Sequence, residues 1–94
     1  MYLAQKAWQL ARQLNFDKGR GRAQGVIGMV LRERGELPKA YANQQIALQL
    51  SCQSHNPEGE ASTLNGLGNI SLDLRQYPET IEHYRASEVL YRRL

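Results

Sequence analysis

Several groups of residues carry side chains that can do chemistry. Ser51, Cys52 and His55 lie close together, and a nucleophile beside a base is the arrangement that covalent catalysis uses. That chemistry also needs a third group to hold the base, and here all three residues share one expected helix end with nothing to align them in a cleft. No Gly-x-Ser-x-Gly elbow occurs, so the exposed, strained serine of that motif is missing. Cys52, His55 and His83 are possible soft metal ligands. A structural zinc takes about four ligands, usually with paired cysteines, and the chain has 1 cysteine and 2 histidines. The expected roles are a structural thiol at Cys52 and surface histidines. Gly19-Arg20-Gly21-Arg22 has the glycines and cations of a phosphate cradle but lacks the Gly-x-x-x-x-Gly-Lys-Ser/Thr spacing that turns backbone amides toward phosphate. It reads as a helix start with solvated arginines. Glu58 and Glu60 open another expected helix, where negative charge favours the positive end of the dipole. No catalytic residue, metal ligand or cofactor is expected, and the chain is not read as an enzyme.

Composition narrows the partners. The 94 residues carry 12 Lys and Arg against 9 Asp and Glu, a net charge of +3. The cations are spread along the chain, with a local concentration over 18–22. Nucleic-acid binders usually cluster theirs in a stripe, so nucleic acid is not the expected partner. A single cysteine excludes an internal disulfide and fits a reducing compartment. No apolar run approaches the roughly 20 residues of a membrane span, and no apolar signal core follows Met1. A cytoplasmic chain with no membrane contact is expected.

The elements that must position these residues follow from a repeat of 40. At that offset Gly19 meets Gly59, Gly28 meets Gly68, Pro38 meets Pro78, Ala47 meets Ala7, and Leu50 meets both Leu10 and Leu90. Leu3, Ala7, Leu10, Ala11 and Leu14 recur at helical spacing. Gln45, Gln49 and Gln53 are four apart and stack as a polar stripe on one helix face. Gly35 suits a left-handed helix cap and Pro38 a first turn. Arg75 and Pro78 repeat that arrangement. The pattern predicts an all-α chain of five antiparallel helices, over about 1–14, 18–34, 38–54, 58–74 and 78–93, with no strand. The stripe of Tyr77, Tyr84 and Tyr91 is expected to be mostly core, with Tyr77 just before the last helix.

The segment from Ala61 to Ser87, with Leu64, Leu67-Gly68, Tyr77, Ile81, Tyr84 and Ala86, resembles a tetratricopeptide repeat. Leu67-Gly68-Asn69 matches the tripeptide of the extended 40-residue subtype, which is similar to repeats of Leu-Gly-Asn proteins, kinesin light chains and bacterial regulators. The resemblance implies an α-solenoid in one array over 1–94: the second helix of a partial repeat (1–18), then repeats over 19–58 and 59–94. Gly28, Gly68, Ala40, Thr80, Ala47 and Ser87 would fill its small positions. Gln24 and Gln44 depart from it, standing where large apolar residues are usual. About three repeats are normally needed for a stable stack, so this chain is expected to be a segment of a longer array.

In the resembled family the first helix of each pair lines a concave groove. The corresponding positions here are Arg22, Gly25, Val26, Met29, Arg32 and Glu33, then Ser62, Asn65, Gly66, Asn69, Leu72 and Asp73. From these, Arg22, Met29, Arg32, Asn65, Asn69 and Asp73 are taken as the site for a protein or peptide partner. Asparagine amides both donate to and accept from a peptide backbone, and arginines pair with carboxylates, so an acidic or extended segment is the expected ligand. An alternative is a regulatory or oligomerisation segment of a larger bacterial sensor or transcription regulator. Apolar residues at both ends, Tyr2, Leu3, Trp8 and Leu10 and then Leu90, Tyr91 and Leu94, imply weak self-association end to end.

Overall fold

A computed structural model describes residues 23–94. The helix expected over 1–14, Trp8 and Arg22 lie outside the described residues. Four helices fill the rest, with no strand among the described residues: α1 over 23–33, α2 Leu37–Gln53, α3 Pro57–Asp73 and α4 Tyr77–Arg93. Helices α2, α3 and α4 are each 17 residues long, and their bounds fall one residue ahead of those expected for α2, α3 and the start of α4. Proline sits in the first two positions of all three, where its missing N–H costs nothing. Tyr77 opens α4 rather than preceding it.

The C-terminal ends of α1, α2 and α3 use one device. Gly35, His55 and Arg75 adopt φ of 77°, 51° and 60°. In each turn the next residue's N–H reaches back to the last helical turn: Glu36 to Leu31 O (2.9 Å), Asn56 to Ser51 O (2.9 Å) and Gln76 to Ser71 O (2.8 Å). These are Schellman caps, which satisfy carbonyls the helix leaves unpaired. Glycine reaches the left-handed region without strain, whereas an L side chain pays roughly 1–2 kcal/mol there. Arg75→Gly is therefore expected to raise stability by up to about 1 kcal/mol, part of the gain being offset by the freer unfolded chain. Thermal unfolding checks this, and a lowered midpoint would contradict the cap.

Three-residue turns force antiparallel neighbours. Gln44 and Ser51 of α2 stand against Gly66 and Gly59 of α3, so residue numbers rise along one helix as they fall along the other. In the same sense Tyr84 and Ser87 of α4 meet Gly68 and Ala61 of α3. Alternate helices run parallel: Arg32 of α1 meets Asp73 of α3, and Tyr41 of α2 meets His83 of α4. First helices α1 and α3 thus share one layer and second helices α2 and α4 the other.

Small residues make the close approach possible. Ala40, Ala47, Ala61, Thr80 and Ser87 are all buried, as are Leu67 and Ile70. Burying a leucine or isoleucine fully contributes about 1.5–3 kcal/mol. Gly28 and Gly68 are buried too. A Cβ on Gly68 would run into the Tyr84 ring, and one on Gly28 would come within 2.9 Å of the Gln44 amide. Thr63 and Ser54 satisfy their hydroxyls locally, Thr63 donating to Gly59 O at 2.7 Å and Ser54 to Leu50 O at 2.8 Å, whereas the fully buried Ser71 Oγ has no hydrogen-bond partner among the described residues. Ser87 instead crosses to Ala61 O at 2.7 Å, tying α4 to α3.

The tyrosine stripe differs from expectation. Tyr77 is 55% exposed and Tyr91 51%, and only the half-buried Tyr84 packs against a neighbour. The reason is positional: Tyr77 opens α4 and Tyr91 lies in its last turn, away from the Gly68 crossing where Tyr84 packs.

Candidate groove between the first helices

A cavity of about 480 Å3 opens between α1 and α3, floored by α2. Met29 and Arg32 project from α1, and Asn65 and Asn69 from α3. Two backbone features shape it. Gly25 and Gly66 present no side chain on facing helices, and a Cβ on Gly25 would meet nothing within 4 Å. Gln44 rises from α2 between the glycines, and its Nε2 donates to Gly25 O at 3.2 Å. This glutamine is only 4% exposed. Its burial is sustained by that hydrogen bond, since an unpaired buried amide costs about 1–3 kcal/mol. Gln44 and Tyr84 stand at the same position of successive repeats. Tyr84 packs on Gly68 and donates its hydroxyl to Asn69 Oδ1, so the α4 tyrosine orients one groove asparagine.

Four of the expected site residues, Met29, Arg32, Asn65 and Asn69, line this single cavity. Asp73 stands beside it, paired with Arg32 through Nε–Oδ2 (2.5 Å) and Nη2–Oδ1 (3.3 Å). Arg22 lies outside the described residues. The guanidinium fork of Arg32 is thereby taken up within the chain. Among the described lining residues Arg32 carries the one charge, and Asp73 balances it. Hydrogen bonding to Arg32 holds the Asp73 carboxyl below its usual range, with partial desolvation opposing and the arginine's charge adding. The same hydrogen bond raises Arg32. Both side chains are more than a third exposed, so solvent screens the pair and its contribution to stability is small. Because the folded carboxyl titrates low, that contribution is present above the unfolded value near about 3.9. It is lost as pH falls through the folded value. Carboxyl titration by NMR should give Asp73 a higher midpoint in Arg32→Gln than in the parent chain, and equal midpoints would contradict the pairing.

The other reactive groups do not converge. Ser51 is buried against Gly59, while Cys52 and His55 are exposed. The expectation of a surface His83 needs correction: it is half-buried, with Nε2 3.1 Å from the Tyr41 hydroxyl. Cys52, expected as a structural thiol, is exposed. Partial burial first, then the nearby Glu60 carboxylate, push its pKa up, which disfavours the reactive thiolate. Among the described residues no group of three His, Cys, Asp or Glu is placed to hold a metal ion, and no helix is long and apolar enough to cross a membrane.

Asn56 caps α3, its Oδ1 accepting from Gly59 N at 3.2 Å. Together with Ser51 and Gly59 it closes one end of the cavity. These three and Gln44 were not expected at the site. The pairing of Gln44 with Tyr84 at the repeat offset was the available signal, because it puts a polar side chain where its counterpart faces a first-helix glycine.

The described residues form an all-helical chain of successive hairpins with a groove of mixed polar and apolar lining between its first helices. No protein-family model, curated protein or solved structure matches the chain.

Proposed function

We propose that this chain is a protein-interaction scaffold of tetratricopeptide-like repeats, and that an extended segment of a partner protein lies in the groove between α1 and α3. The observation that carries this reading is the gathering of Met29, Asn65 and Asn69 around one cavity of about 480 Å3 that two glycines keep open. Clefts of roughly 300–1,000 Å3 with a few placed polar groups are typical ligand sites. The two asparagines are one turn apart on α3, within reach of successive peptide groups. Met29, 60% exposed, supplies a pliable apolar contact. The Arg32–Asp73 pair leaves the described lining neutral, which favours an uncharged polar or apolar segment over an acidic one.

Selection of short peptides on the chain, followed by substitution, tests the proposal. Asn69→Ala and Asn65→Ala should each weaken the selected segment about 5- to 30-fold, the loss of one or two hydrogen bonds to the partner. Gln45→Ala and Gln49→Ala, on the exposed face of α2, should leave affinity unchanged. The reverse pattern would place the partner on the other face and refute the groove.

A further inference from the structure

The amide of Gln44 is only half used. Its Nε2 donates to Gly25 O at 3.2 Å, and since a carbonyl oxygen only accepts, that bond fixes which way round the amide stands. Oε1 is thereby turned toward the opposite wall, where a Cβ on Gly66 would lie 3.4 Å from it. No described residue donates to Oε1. The side chain is 4% exposed and lines the cavity, so this oxygen is a nearly buried acceptor at the foot of the groove. Ser51, two turns further along α2 and equally buried, turns its Oγ to Gly59 and lines the same floor. One repeat later the arrangement is gone, because the Tyr84 ring takes the place of Gln44 and closes against Gly68.

The walls leave the acceptor within reach. Gly25 and Gly66 put no side chain beside it, and a Cβ on Gly25 would meet nothing within 4 Å. An acceptor this deeply buried costs free energy while it is unpaired, and solvent water in the cavity can satisfy it. A ligand group that displaces that water and donates in its place keeps the bond, whereas an apolar group of the same shape forfeits it. Charged groups fare worse. A carboxylate would set acceptor against acceptor, and an ammonium would leave its hydration for a floor of neutral groups.

We propose that the segment held in the groove places an uncharged hydrogen-bond donor, a hydroxyl or carboxamide side chain, over Gln44, and that Gln44 Oε1 selects it. The inference rests on the groove reading above and adds the identity of one anchor residue. It makes Gln44 a specificity-determining residue, at a position where the repeat pattern has a large apolar one.

Peptides selected on the chain from a random library test it. The anchor found by alanine scanning should be Ser, Thr, Asn or Gln. Replacing it by its apolar isostere, Thr by Val or Asn by Leu, should weaken binding about 5- to 30-fold on the unaltered chain. On Gln44→Met, close in size but without the amide, the two peptides should bind within about 2-fold of each other. A merely structural role for Gln44 would weaken both peptides alike and keep their ratio. If Gln44→Met loses its helical circular dichroism, Gly25→Leu replaces it: its side chain enters open space, bars the way to Gln44 and should remove the same preference. Peptides that need Asn65 and Asn69 but keep their ratio on these backgrounds, or carry an apolar anchor, would overturn the role of Gln44 and leave the groove reading standing. Peptides indifferent to both asparagines, or a library that yields no binder, would overturn both.

Discussion

Gly68→Leu is expected to destabilise the chain by about 1–3 kcal/mol or more, the usual range for overpacking a closely fitted interior. The glycine is buried where α3 and α4 cross, and the Tyr84 ring occupies the space a side chain would need. Relief requires Tyr84 to swing away, which abandons its hydrogen bond to Asn69, or α4 to move outward, which uncovers Ser87 and breaks its bond to Ala61 O. For a domain of this size each kcal/mol shifts the melting midpoint by roughly 4–8 °C. The cost should couple to the ring: Gly68→Ala made on a Tyr84→Ala background should be cheaper than on the parent chain, by about 0.5–3 kcal/mol, the range for residues in contact. Gly25→Ala is the counterpart, since its Cβ would meet nothing within 4 Å. Alanine there should leave stability unchanged or raise it by up to about 1 kcal/mol, the difference in helix propensity. Equal effects at the two glycines would show that the α3–α4 crossing is misplaced.

Leu67→Ala should be the most damaging simple truncation. Leu67 is 1% exposed, among the largest of the fully buried side chains, and such truncations cost about 2–5 kcal/mol in lost transfer energy and cavity formation. Native stability amounts to about 0.05–0.15 kcal/mol per residue, so this one change removes a large part of what a chain this short can hold. Leu72, on the same helix but 45% exposed, should tolerate alanine within about 0.5 kcal/mol. Urea unfolding of the two variants compares them directly. A Leu72 loss as large as that at Leu67 would rotate α3 away from the face described above.

Much of this architecture was legible before any coordinates. Gly28 and Gly68 at one offset, with Pro38 and Pro78, set helix lengths and turns to within one residue for α2 and α3, because proline and chain-reversing positions act locally. The small buried positions Ala40, Thr80, Ala47 and Ser87 were those that the tetratricopeptide resemblance implied. What could not be read concerned neighbours. Tyr77 and Tyr91 look like core residues by spacing, but spacing says nothing about whether a further helix covers them. Arg32 could be read as meeting either a ligand or a carboxylate of its own chain, and spacing did not show that Asp73, 41 residues later, takes its fork. Gln44 looked like a flaw in an apolar position, and its burial makes sense only once Gly25 and Gly66 are seen on either side of it. The left-handed turn at Arg75 was signalled by its place ahead of Pro78, matching Gly35 ahead of Pro38, whereas the one at His55 was not.

The central claim is that a partner segment lies between α1 and α3. Amide chemical-shift mapping of the chain with a selected peptide tests it most directly. Shifts should concentrate on residues 25–32 and 62–69, with the side-chain amides of Asn65, Asn69 and Gln44 among the most affected and the exposed Gln45, Gln49 and Gln53 left unmoved. Shifts confined to the exposed glutamines of α2, with the Asn65 and Asn69 amides unchanged, would contradict it.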